Sequence, residues 1–257
     1  ALNSAGNIGA FIFGGIVAEY INVRTTFLAS ILTSLLGLLL LFFVSETYEQ
    51  KENTKKITIH DFSIVFKDTK LLFYSGIAVL YQIISTSSLN GFVPTLFSEA
   101  GASELQKSLG TTLASIPGVF AGPLAVGFFS KKFGQNLTNI ISFIVISVPM
   151  FFFAYVKNIT ILLILEFIAG FGKGLLMSLL MSRSTSHLPD ETRSTALSMY
   201  QAIYSVGMFV GPAITGVISN IFSLQVAFVC LGLIGFVAII ALLVYKPSVK
   251  NVCTSAK

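Results

Sequence analysis

The sequence predicts an all-α integral membrane protein of eight transmembrane helices, and three observations carry that prediction. Hydrophobic residues make up 54% of the chain and charged residues 11%, and the mean hydropathy is +0.85, which places the apolar runs against lipid. The runs fall at about 1–20, 25–45, 71–97, 109–130, 137–156, 159–183, 195–219 and 224–245, each long enough for the ~20 helical residues that cross a hydrocarbon core. They lack the alternation of barrel strands, and backbone facing lipid must satisfy its own hydrogen bonds, so all eight are read as helices. Finally, Ala1–Phe27 lies on Ala202–Phe228 without a gap at an offset of 201 residues, which pairs Ser4 with Ser205, Gly6 with Gly207 and Gly15 with Gly216. A repeat of this kind points to a duplicated bundle.

The first run is glycine-rich and has neither a basic n-region nor an initiating methionine, so it does not read as a cleavable signal, and the chain reads as cut at its start. After the second run comes the only long polar segment, 46–70, the natural boundary between bundles. Within it Thr58 stands three residues before Asp61, and Phe62, Val65 and Phe66 follow at helical spacing, which predicts a short amphipathic helix at the membrane surface.

Lysine and arginine set the orientation. With 46–70 in the cytoplasm, that side carries Lys51, Lys55, Lys56, Lys67, Lys70, Lys131, Lys132, Arg183, Arg193, Lys246, Lys250 and Lys257, and the other side only Arg24, Lys107 and Lys157. Twelve against three, with Lys173 inside the membrane, places the C-terminus in the cytoplasm. The net charge of +5 follows from this topology and calls for no nucleic acid partner. Tryptophan is absent, so any aromatic belt falls to Tyr20, Tyr48, Tyr155 and Tyr245. Cys230, in an apolar run, and Cys253, in the tail, suggest neither a disulfide nor a metal site.

The joints after the polar loop hold the sharpest pattern. One reads GFFSKKFGQN from Gly127, and another begins at Pro189 with PDETR and leads to Gly207, Gly211, Pro212 and Gly216. These residues resemble the major facilitator superfamily, in which a Gly-x-x-x-Asp-Arg/Lys-x-Gly signature joins the second and third helices of each half. Gly127, Lys132 and Gly134 match it, and Lys131 stands in the acidic position. Pro189 and Arg193 resemble the family's Pro-x-x-x-Arg entry to the fifth helix of a half. The resemblance implies a partial major facilitator fold: 1–45 as the last two helices of the N-terminal bundle, 46–70 as the central cytoplasmic loop, 71–246 as the C-terminal six-helix bundle and 247–257 as a cytoplasmic tail. Four further helices are then expected ahead of Ala1. The family's antiporters tend to carry Gly-Pro-x-x-Gly-Gly where this chain has Ala10 and Phe11 followed by Gly14 and Gly15, so antiport is not read from it and symport is the coupling expected.

Glu166 and Lys173 are the membrane-embedded charges. Seven residues apart, they share one helical face with Gly170 between them. At 1.5 Å per residue Lys173 sits about 21 Å into its run and Glu166 about 10 Å in from the outer side, depths at which an ionisable group is a functional candidate facing the bundle interior. Glu166, Gly170, Gly172 and Gly174 resemble the family's Arg-x-x-x-Gly-x-Gly-x-Gly frame with an acid in place of the arginine. Lys173 is expected to attract an anionic substrate group or to pair with an acid, and Glu166 to pair with it or to carry a proton; a fixed charge pair that only locks helices is the plainer alternative.

Tyr81, Gln82, Ser85, Ser88 and Asn90 form a second patch before Gly91 and Pro94, and Tyr200, Gln201 and Tyr204 a third; each stripe could line an aqueous path or hold helices together. Gly207, Gly211 and Gly216 form a small-residue face on which Pro212 permits a bend. His60 and His187 stand in loops, read as solvated, and no catalytic signature is present. The expectation is a secondary transporter in the plasma membrane, not an enzyme, moving a small-molecule substrate by alternating access with protons as the coupling ion, monomeric, and needing neither cofactor nor metal. A self-contained eight-helix enzyme or scaffold is the competing class.

Overall fold

A computed structural model describes residues 2–43 and 66–245. Among these residues the chain forms eight long helices: α1 (Leu2–Tyr20), α2 (Val23–Leu41), α3 (Thr69–Glu99), α4 (Glu104–Phe133), α5 (Gln135–Phe153), α6 (Ile159–Thr185), α7 (Asp190–Ile221) and α8 (Leu224–Val244). The expected amphipathic helix before Phe66, the loop tyrosine Tyr48 and the tail with Cys253 lie outside the described residues.

Seven of the eight are long and apolar enough to cross a membrane; α1 is not among them. Its 19 residues have the length, but Asn3, Ser4, Asn7, Glu19 and four glycines dilute the apolar content that composition alone had credited to it. Several helices outrun their apolar runs because polar caps extend them. Asn22, Asp68 and Ser223 each accept a hydrogen bond from a first-turn amide, Asn158 accepts two, and Ser103 closes a reciprocal capping box with Gln106. Between α4 and α5 the chain turns at Gly134, whose φ of 78° is a backbone state that side chains disfavour.

Two helices are interrupted. In α3 a π-helical turn spans Ser88–Phe92 just ahead of Pro94, and in α4 another spans Ala125–Phe129 just after Pro123. Helices α3 to α8 share one core, built on side chains such as Tyr74, Ile84, Phe97, Phe143, Phe153, Leu176, Tyr200 and Phe228. Within it α7 lies along α3, α6 lies between α4 and α5, and α8 closes on α5. Helix α1 packs on the first half of α4, while α2 buries no side chain.

Candidate functional site

Glycines fix the position of α6. A Cβ at Gly170 would collide with the backbone of Ala114 in α4, one at Gly172 would stand 2.8 Å from the amide nitrogen of Ile146 in α5, and one at Gly174 would stand 2.8 Å from Ala121 Cβ in α4. Residues two apart on a helix point to nearly opposite sides, so the alternating glycines bring α6 against both neighbours at once. The sequence pattern marked these residues as small; the structure supplies their partners.

On the helix so held, Glu166 is fully buried and neither carboxylate oxygen accepts a hydrogen bond among the described residues. Lys173 is half-buried, and its Nζ donates to Asn90 Oδ1 at 3.4 Å rather than to Glu166. No carboxylate lies within salt-bridge distance of Lys173 among the described residues. A locked Glu166–Lys173 pair, the plainer alternative for these charges, is therefore not formed. An ionic carboxylate in this position would lose its hydration with no hydrogen bond to offset it, a cost of several kcal/mol or more.

The patch on α3 divides by burial. Tyr81, Gln82, Ser85 and Ser88 are buried, whereas Asn90 is exposed on the π-helical turn. Tyr81 donates its hydroxyl to the backbone carbonyl of Lys173 at 3.3 Å, and Ser88 donates to the carbonyl of Ile84, one turn earlier in its own helix, at 2.6 Å. Tyr81 thus ties α3 to α6 beside the lysine, while Ser88 serves its own helix. On α7, Tyr200 is fully buried with an unpartnered hydroxyl, Gln201 is exposed, and Tyr204 is half-buried with its ring centroid 5.2 Å from that of Tyr200.

Lower on α7 the glycine face meets α3 directly. A Cβ at Gly207 would collide with the carbonyl of Val79, and one at Gly211 would stand 2.9 Å from Ile83 Cα. A Cβ at Gly216 would meet Phe92 Cζ at 3.6 Å, an ordinary contact. In the repeated copy the pattern inverts: a Cβ at Gly6 would meet nothing within 4 Å, whereas one at Gly15 would collide with Ser108 of α4. Ser108 also donates to the carbonyl of Phe11, and Glu19 accepts from the amide of Leu105 at 3.1 Å, so α1 docks on α4 through both backbone and side chain.

At the end of the bundle expected in the cytoplasm, Lys131 and Lys132 are exposed, and Lys132 Nζ lies 5.6 Å from the ring centroid of Phe128 and 5.4 Å from that of Phe133. Gly127, in the second π-helical turn, has open space around it, and Arg193 is exposed. A cluster that the sequence did not suggest lies nearby. His187 Nε2 and Asp68 Oδ2 are 3.0 Å apart, both half-buried, so His187 is not the solvated loop residue its position beside Pro189 implied. Arg183 lies 4.7 Å above the ring of Tyr74 and donates to Asn136 Oδ1. Tyr245 stacks on Phe73 at 3.6 Å between centroids, and burial, then the Asp68 charge, raise its phenol pKa above the ordinary value. The available signal was the Asp68 cap at the start of α3, but no local pattern joins residues 119 positions apart.

A bundle of apolar helices, pinned by glycine contacts and carrying an unpaired acid and a loosely held lysine midway along one helix, defines a polytopic membrane protein with a polar seam between α3 and α6. The chain belongs to the Major Facilitator Superfamily, whose family model matches residues 76–256. Over 235 residues it is 25% identical to a protein of Lactococcus lactis subsp. lactis (strain IL1403) described as "Multi-drug resistance efflux pump PmrA homolog", an alignment that covers 88% of this chain and 57% of that protein. It is also 23% identical over 212 residues to an "Uncharacterized transporter" of Buchnera aphidicola subsp. Schizaphis graminum (strain Sg), covering 82% and 48%. The chain thus spans about half the length of these curated relatives. The family and both descriptions are those of transporters rather than of enzymes.

Proposed function

We propose that the protein is a secondary transporter that moves a small solute across the plasma membrane by alternating access, coupled to protons through Glu166. The observation that carries the coupling is the fully buried carboxylate with both oxygens unpartnered, on the face it shares with Lys173. A proton on Glu166 removes an uncompensated charge from the membrane interior, and its release restores one, so protonation changes the free energy of any conformation that opens this seam to water. Lys173 supplies the cation of the solute path and Asn90 its exposed polar neighbour; Gln201 and Tyr204 line the same path from α7. The close glycine contacts of α6 on α4 and α5, and of α7 on α3, let these helices move as one body, as rocking of a bundle requires.

The relative described as an efflux pump favours export. Export driven by an inward proton gradient is an exchange of proton for solute, so the direction of flux also decides between symport and exchange. The test is flux through proteoliposomes with and without an imposed pH gradient, using 2-naphthoate, 2-naphthamide and 2-naphthylmethylammonium as solutes. At least one solute should cross faster than through empty liposomes, and faster still with the gradient. Rates equal to those of empty liposomes for all three would contradict the transport reading.

A further inference from the structure

We propose that Lys173 is the recognition point for the carboxylate of an organic anion, and that Asn90 occupies this point when the solute is absent. The inference rests on the transport reading and adds to it the substrate class and the residue that competes with the substrate.

Position comes first. Lys173 lies fourteen residues into a helix of 27, at mid-length, and is half-buried, while Asn90 beside it is exposed. A cation and an amide open to their surroundings at this depth belong to a polar path, because lipid contact would leave both unsatisfied. The contact itself is weak. At 3.4 Å it exceeds the 2.7–3.2 Å typical of N–H···O bonds, and its acceptor is neutral. A carboxylate in place of the amide would form a charge-assisted bond of about 2.7–2.9 Å, roughly twice as strong. Glu166 makes no such bond, since both of its oxygens are without a partner. The lysine therefore has a place for an anion that the described residues do not fill.

The backbone around Asn90 makes this exchange consequential. Asn90 sits in the π-helical turn Ser88–Phe92, where a Cβ at Gly91 would stand 2.9 Å from the carbonyl of Thr86, so the turn is closed to larger residues. The same turn carries Phe92, whose Cζ a Cβ at Gly216 of α7 would meet at 3.6 Å, and the hydroxyl of Tyr81 holds the lysine backbone from one side. Displacing Asn90 from Lys173 thus acts on a turn that packs against α6 and the first half of α4, just beyond the stretch where α3 meets α7. A lone cation with a neutral amide beside it fits an anion with one carboxylate rather than a polyanion.

The test measures equilibrium binding of the three naphthyl probes to the protein in lipid nanodiscs, so its outcome does not depend on whether flux occurs. 2-Naphthoate should bind roughly tenfold more tightly than 2-naphthamide, the scale of exchanging a neutral for a charge-assisted hydrogen bond. Lys173→Gln should abolish the difference by weakening naphthoate toward the affinity of the amide. Asn90→Asp, which gives Lys173 an internal carboxylate, should weaken naphthoate about tenfold, and Asn90→Ala should not weaken it. The Asn90→Asp measurement stands even if Lys173→Gln fails to fold. Equal affinity for naphthoate and naphthamide, or naphthoate binding unaltered by Asn90→Asp, would overturn the proposal. Gradient-driven flux of the amide or the ammonium probe without a preference for the carboxylate would overturn it while leaving the transport reading intact.

Discussion

Replacing Gly211 by alanine separates a glycine that packs from one that does not, within a single helix. A Cβ at Gly211 would stand 2.9 Å from Ile83 Cα, and ordinary contact begins at 3.4 Å, so α7 and α3 must part by at least 3.4 − 2.9 = 0.5 Å. The obstructing atom is backbone in the middle of a helix and cannot rotate away as a side chain could. Overpacking of this kind costs about 1–3 kcal/mol. Gly216→Ala is the matched control: the added Cβ would meet Phe92 Cζ at an ordinary 3.6 Å, and alanine gains up to about 1 kcal/mol of helix propensity over glycine. Thermal unfolding in detergent, followed by circular dichroism, should show Gly211→Ala melting below the parent and Gly216→Ala melting at or above it. Coincident melting of the two variants would refute the claim that α7 is held to α3 by backbone proximity at Gly211.

Three further variants probe the other joints. Asp68→Ala removes both the cap on the Leu71 amide and the His187 contact, and should cost about 0.5–2 kcal/mol by denaturation, whereas His187→Ala keeps the cap and should cost less. Gly134→Ala forces a side chain into a backbone with φ of 78° and ψ of 155° and should destabilise by about 1–3 kcal/mol in the same measurement. Asn158→Ala leaves two first-turn amides of α6 without their acceptor and should cost about 1 kcal/mol, read as a lower melting temperature.

The helices were legible in the sequence because apolar runs of membrane-crossing length admit one interpretation, and because polar caps such as Asn22, Ser103 and Ser223 bound them. Helix α1 forms as expected, with lower hydropathy than the other seven because of its glycines and its polar residues Asn7 and Glu19. Glu166 and Lys173 stood out because charge is rare inside an apolar run, yet only the fold distinguishes a paired acid from an unpartnered one. The α3 stripe was mixed for a reason that spacing does not encode. Helical periodicity places Ser85 and Ser88 on a common stripe with Tyr81, but which side of that stripe meets α6 depends on how the glycines of α6 and α7 set the neighbouring helices. The repeat shows the same limit, since Gly207 and Gly6 correspond in sequence while only Gly207 meets another backbone. His187 with Asp68 and Arg183 with Asn136 were beyond reach, because each pair joins separate helix ends through tertiary packing alone.

The central claim is that a proton on Glu166 couples to movement of the solute. The most direct test compares the parent with Glu166→Gln, which keeps the size of the side chain and removes its charge, in proteoliposomes loaded with the solute that the parent moves. Solute exchange at equal pH on both sides should persist in the variant, because the path and Lys173 are intact, while the acceleration produced by a pH gradient should vanish. A Glu166→Gln protein that still responds to the gradient as fully as the parent would contradict the account.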